Sequence, residues 1–290
     1  MQTEINDLLF KLTNCQGLGN LGRLKILSFL LDKEVLGLTE SEIILVAGIN
    51  KYEPLFRQSW RRLTDSQERL LHLQHSHQFL SILDADFPPL LKRIYNCPTL
   101  LFYKGQPQLL TKPCLAVVGA RQATAYGQKV VRTFVPSLCQ KGLVIVSGLA
   151  RGIDSCAHQA AILANGSTIG VIATGLDRCY PSESMELHNQ MAQKQLLVSE
   201  HLNGTPPKKH HFPMRNRIIA GLSQGVCLVE ARTNSGSLIT AQSGLEYGRD
   251  VFVVPGNIFM PHSQGCHTLL YEGAKAVFSP QDILADLNFF

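Results

Sequence analysis

CLAVVGARQATAYGQKVVRTFVPSLCQKGLVIVSG, Cys114 to Gly148, is the stretch on which the fold turns. A short apolar run, Cys114–Val118, stops at Gly119. A segment of helical periodicity follows, from about Tyr126 to Gln140. A second β-branched run then stops at Gly148. Strand, glycine turn, helix and strand together make a βαβ unit, which requires parallel strands.

Downstream the rhythm repeats. A helix is expected from Asp154 to Ala164, then a third strand in "STIGVIATG", and further strands in "LLVSE", "VCLVEA" and "VFVVPG". These runs do not alternate apolar with polar residues, so both faces of the sheet should be covered. The expected fold class is α/β, a doubly wound and mostly parallel sheet. Ligands of such sheets bind beyond the carboxyl ends of the strands.

Upstream the pattern changes. To about Gln74 the chain reads as all-helical, and Thr39 with Glu42 forms a capping-box signature. "GLGNLGRLKIL" has the outline of a helix-hairpin-helix turn, whose glycine amides can meet a phosphate or simply close a tight turn between two helices. His72, His75 and His77 lack partners at metal-ligand spacing and read as a solvated helix end or linker. Prolines 88, 89, 98 and 107 interrupt any long helix, and "TLLFYKG" reads as a strand leading into the next part. The expected division is a helical domain over 1–75, a linker and lead-in strand over 76–113, and the sheet domain over 114–290.

The 290 residues are 45% apolar, enough for a substantial core, and the formal charge is +5. Eight cysteines are scattered without a CxxC pair, as expected of reduced core residues in a cytoplasmic protein. The N-terminus has no signal-peptide pattern, and no apolar run reaches the roughly 20 residues of a membrane span.

The strand ends carry the candidate chemistry. "GARQATAYG" lacks the GxGxxG spacing of a dinucleotide site, and no GKS/T phosphate loop occurs. Gly119 nevertheless lets backbone amides approach an anion. Arg121 either adds donors to that anion, or caps the next helix or pairs with an acid. "SGLARGIDSCAH" places Gly148 at a strand end and Asp154 at a helix start as a good N-cap. Ser147, Asp154 and His158 lack a nucleophile elbow, so they make no catalytic triad. "TGLDRCYPSES" reads as a structural loop beside the site. Ser235, Gly236 and Ser237 open a helix as either an anion cradle or an ordinary helix start.

The charge is most local in "KKHHFPMRNRIIAGLS", Lys208 to Ser223. No acid occurs between His201 and Val229. Lys208 and Lys209 fit sequence-blind phosphate contacts, and Phe212, braced by Pro213, offers a stacking face for an unpaired base or a hydrophobic anchor for the loop. That composition fits single-stranded nucleic acid better than a duplex, which is more typically read by an inserted helix or ribbon.

Taken in order, "VVGARQATAYG", "VSGLARGIDSCAH", "IGVIATGLDRCYPSE", "LVSEHLNGTPP", "HFPMRNRIIAGLS", "CLVEA", "SGSLITA" and "VFVVPG" closely resemble the DNA-processing protein A (DprA/Smf) family over about residues 80 to 285. The helical N-terminus resembles the SAM-like or helix-hairpin-helix-like domain of many members. The resemblance implies an extended Rossmann-like domain that binds single-stranded DNA, loading of the RecA recombinase during natural transformation, and a homodimer. No strand end carries a nucleophile with its base or a metal cluster, so no catalysis, metal or cofactor is expected. The family's pocket arginine falls on Arg121, its lysine and aromatic on Lys209 and Phe212, and the arginines of its R-N-R-I-I-A motif on Arg215 and Arg217. His267 stands where the family usually has asparagine. The chain ends at Phe290, so the tasks of the C-terminal winged helix of many relatives are expected to be absent. The rival reading is a Rossmann-fold nucleotide-processing hydrolase using Glu230 and Glu246 beside the "SGSLITA" helix start. A plain scaffold whose basic loop binds an acidic protein is a third.

Overall fold

The computed structural model describes residues 2–66 and 77–288. His72 and His75 lie outside the described residues. The chain forms two compact units, one of residues 1–87 with 94–102 and the other of 88–93 with 103–290.

The first unit contains helices α1 (Gln2–Thr13), α2 (Asn20–Lys33), α3 (Glu40–Ala47) and α4 (Glu53–Thr64). Leu9, Phe10, Ile26, Leu30, Ile43 and Phe56 form its buried centre. The capping box is present: Glu42 N donates to Thr39 Oγ1 at 3.4 Å and Thr39 N to Glu42 Oε2 at 2.8 Å. Gly17 has φ +79°, and a Cβ there would lie 2.7 Å from Tyr52 O, so only glycine fits that turn. Strand β1 (Phe79–Ser81) pairs antiparallel with Leu100–Phe102, the first half of β2 (Leu100–Gly105). The stretch read as a linker with a lead-in strand thus holds that strand, β2, together with β1 and a short helix, α5 (Pro89–Lys92).

The second unit contains β3 (Cys114–Val118), α6 (Ala125–Gln140), β4 (Val144–Ser147), α7 (Ile153–Leu163), β5 (Thr168–Val171), α8 (Met185–Lys194), β6 (Leu196–Ser199), α9 (His211–Leu222), β7 (Gly225–Leu228), α10 (Gly236–Glu246), β8 (Asp250–Val253), α11 (Gln264–Tyr271), β9 (Lys275–Ala276) and α12 (Pro280–Asp286). The strand order is β2-β6-β5-β4-β3-β7-β8-β9. The pairings from β3 to β9 among the described residues are parallel. This is the Rossmann-like, doubly wound sheet the glycine-turn rhythm predicts.

Periodicity explains the layers. Leu115 and Val117 on β3 share a core with Val131, Phe134 and Val135 of α6 and with Ile153 and Ala157 of α7. Side chains alternate along a strand, so Ala116 and Val118 face the other way. There α9 packs on β3, β4 and β5, and α10 packs on β7 and β8. Each fully buried aliphatic side chain contributes about 1.5–3 kcal/mol.

Two features differ from expectation. Gly152, not Asp154, is the N-cap of α7, and its φ is +78°. A Cβ on Gly152 would lie 2.2 Å from Ala120 O, so glycine brings the β3 and β4 turns together. Helix α9 begins at His211, inside the basic stretch that reads as loop. Pro213 is the third residue of α9, in the first turn, where a missing N–H removes no helical hydrogen bond.

Candidate nucleic-acid interface

Strand order reverses at β3, which lies between β4 and β7. The turns leaving β3, β4, β5 and β7, with the first turns of α9, surround a cleft of about 1270 Å³. Gly119, Arg121, Gly148, Lys209, Phe212, Arg215, Ser235, Gly236 and Ser237 line it. Lys208 and Arg217 do not.

Phe212 is half-buried at the second position of α9. Its ring centroid is 5.5 Å from that of Tyr180, with the planes at 55°. The Arg121 guanidinium lies 5.6 Å from the same centroid, within cation–π reach. Arg121 and Lys209 are exposed and form no ion pair among the described residues. An aromatic face flanked by unpaired cations suits a chain of alternating phosphates and bases.

Arg215 is buried, and its Nη1 donates to Val171 O. Gly148 makes room for it: a Cβ there would lie 2.1 Å from Arg215 Nη1. Burial pushes the guanidinium down to about 10, partly opposed by Asp154, so it keeps its charge at neutral pH. Burial pushes the Asp154 carboxyl up, with the Arg215 charge acting against that rise. Asp154 Oδ2 accepts from Gly148 N at 3.1 Å. Arg215 is therefore part of the cleft's wall, held by protein groups.

Arg217 departs from expectation. It is buried, and its Nη2 donates to Glu200, each side chain 8% exposed. Two residues of α-helix turn the side chain by roughly 200°, which carries Arg217 away from the cleft that Arg215 lines. Lys208, which precedes the helix, is exposed and does not line the cleft.

The far wall is the start of α10. Ser235 is its N-cap, accepting from Ser237 N at 3.4 Å. Asn216 Nδ2 donates to Gly236 O at 3.1 Å and ties α9 to this wall. Amides at this helix start carry the positive end of the dipole. Sequence reasoning missed Arg151, Asn216 and Arg232, and read Tyr180 as structural, yet all four line the cleft. Tyr180 had a usable signal, an aromatic followed by proline in the loop after β5.

Other candidates have structural partners. Ser147 Oγ donates to Val117 O at 2.7 Å, and both it and His158 are fully buried. Burial holds the His158 imidazole down to about 3, and its Nδ1 lies 2.6 Å from Thr168 Oγ1. Glu230 is buried, accepting from Thr124 N at 3.0 Å and from the Thr124 hydroxyl. Glu246 is at the opposite end of α10, roughly 15 Å from its first turn. It does not line the cleft. His267 Nε2 lies 3.0 Å from Gly256 O. Burial pushes the thiols of Cys114, Cys227 and Cys266 up to about 12. Among the described residues no group of three ligands could hold a metal, and no helix is long and apolar enough to cross a membrane.

Residues 78–288 match the sequence model of the family described as DNA recombination-mediator protein A. The chain is similar to the DNA processing protein DprA of Bacillus subtilis, 50% identical over 209 residues that make up 72% of this chain and 70% of the relative. The crystal structure of DprA from Streptococcus pneumoniae superposes with a TM-score of 0.89 at 42% identity, covering 97% of each chain. A structure of Helicobacter pylori DNA processing protein A, determined for its single-stranded DNA binding mode, superposes with a TM-score of 0.66 at 30% identity, covering 73% of this chain and 95% of that one.

Proposed function

The chain belongs to the DNA recombination-mediator protein A family, and on that premise we propose that it binds single-stranded DNA in the cleft, protects incoming strands, and loads the RecA recombinase on them during natural transformation. The observation that carries this reading is the grouping of Arg121, Lys209 and Phe212 at one cleft mouth. Arg121 and Lys209 neutralise phosphates, and the α10 amides at Ser235–Ser237 take a third. Phe212, set against Tyr180, stacks a base. Gly119 and Gly148 keep the turns low, and Arg215 holds the wall.

In this reading the protein is a binder without turnover, acting in the cytoplasm with no cofactor. Support comes from Glu230, whose carboxylate is engaged by Thr124 and so is poorly placed to serve as a base. The protein self-associates through residues 258–290. Leu269 and Ile283 there belong to the core, while Ile258, Phe259, Tyr271 and Phe278 are exposed and available to a second copy. Light scattering at micromolar concentration should give a dimer mass.

The test of binding compares single and double strands of one length at two salt concentrations. A single-strand preference is expected, with log K falling by roughly 0.7 per phosphate contact per unit of log salt. Equal affinity for both forms would overturn the reading. Stimulated assembly of RecA on a pre-coated strand tests the loading step.

A further inference from the structure

The cleft is lined by five cations, Arg121, Arg151, Lys209, Arg215 and Arg232, and by two carboxylates, Asp154 and Glu183. Asp154 is buried against Arg215. Glu183 is different. It is exposed on the turn that follows Pro181, and its Oε1 accepts from Arg151 Nη2 on the β4–α7 turn. The two side chains are 61% and 60% exposed. The pair joins two separate walls of the cleft and neutralises one of its accessible cations.

We propose that Arg151 is a further phosphate-binding residue and that Glu183 is its internal competitor, displaced when a strand enters. The inference rests on the single-stranded-DNA reading above. An exposed ion pair is weak, because water and salt screen both charges. A phosphate brought in by a strand already held at Arg121 and Lys209 acts at high local concentration, so it can replace the carboxylate. Glu183 then has two effects. It lowers affinity for any polyanion, and it leaves Arg151 without an unsatisfied charge when no strand is bound.

The test is anisotropy of a labelled oligothymidylate over a salt series, with parent, Lys209→Ala, Arg151→Ala, Glu183→Gln and the Arg151→Ala/Glu183→Gln double variant. Arg151→Ala should flatten the log–log salt slope by roughly 0.7, which makes its affinity about 2.6-fold less sensitive to a fourfold rise in salt. Glu183→Gln should tighten binding by about two- to fivefold at low salt, the scale of an exposed ion pair. In the Arg151→Ala background Glu183→Gln should change affinity little. Arg151→Lys keeps the charge and should keep the slope. Melting temperatures of all variants should match the parent, since both side chains are exposed.

An Arg151→Ala variant with the parent's affinity and slope overturns the proposal. So does a Glu183→Gln gain that persists in full without Arg151, because Glu183 would then act on the whole cleft and not through this pair. A parent that fails to bind, or a Lys209→Ala variant that binds like the parent, refutes the underlying DNA reading instead.

Discussion

Replacing Phe212 by leucine and by alanine separates two roles that one ring can have. The ring is half-buried at the start of α9, 5.5 Å from Tyr180 and 5.6 Å from the Arg121 guanidinium. As a stacking surface it contributes roughly 1–3 kcal/mol per base, about 5- to 150-fold in affinity. Neither substitution changes charge, so the salt slope should be that of the parent. Arg121→Ala or Lys209→Ala should each remove roughly 0.7 from the slope. Losses in the folded protein are smaller. The contact with Tyr180 is worth about 0.5–1.5 kcal/mol, a few degrees in melting temperature for a chain of this size. Leucine keeps most of the apolar volume, so the Phe212→Leu protein should melt close to the parent and still bind poorly. The assay is anisotropy with normal and abasic strands of equal phosphate count. On the abasic strand the parent and both variants should bind alike. A leucine variant with the parent's affinity, or an equal loss on the abasic strand, would refute the stacking role.

Arg217→Ala should leave Glu200 buried without its partner and cost about 3–5 kcal/mol by chemical denaturation, with the salt slope of DNA binding unchanged; Arg217→Met with Glu200→Leu should recover most of that loss. Gly148→Ala should drive the Arg215 guanidinium off Val171 O, because the new methyl would lie 2.1 Å from Nη1, and both stability and affinity should fall together. His158 is neutral when folded, its affinity for a proton depressed to about 3, while an unfolded chain binds the proton near 6.5. The unfolded state therefore holds more protons between those values, and stability should fall as pH drops from 6.5 toward 3, by up to about 1.4 kcal/mol per unit. His158→Gln should flatten that part of a stability–pH curve.

The parts of the fold that could be read in advance are those set by local chemistry. Uninterrupted β-branched runs and their terminal glycines mark β3 to β8, and Thr39 with Glu42 marks the start of α3. What escaped depends on partners distant in sequence. Lys-His-His-Phe-Pro reads as loop because proline is the strongest local signal there, yet Pro213 falls in the first helical turn, where a missing N–H costs no helical hydrogen bond. Arg215 and Arg217 carry the same charge, and only the rotation of α9, with Glu200 opposite Arg217, tells them apart. Arg151 meets Glu183 across 32 residues of chain, a pairing that no spacing rule reveals. In the 76–113 stretch β2 is legible as an apolar run, but β1 is only three residues long and α5 only four, too short to carry a periodic signal.

The position of β3 has a consequence for synthesis on the ribosome. Its second neighbour is β7, which begins at Gly225. Until that residue is made and docked, β3 is an open edge, with Leu115 to Val118 offering unpaired amides and carbonyls to any passing strand. A nascent chain stopped before Gly225 would already carry Arg121, Lys209 and Phe212, but β4 alone would hold the first turn in place. The α10 wall would not yet exist. DNA binding is thus expected to begin only once β7 and α10 have emerged, and the interval before that is when the polypeptide is most prone to aggregate.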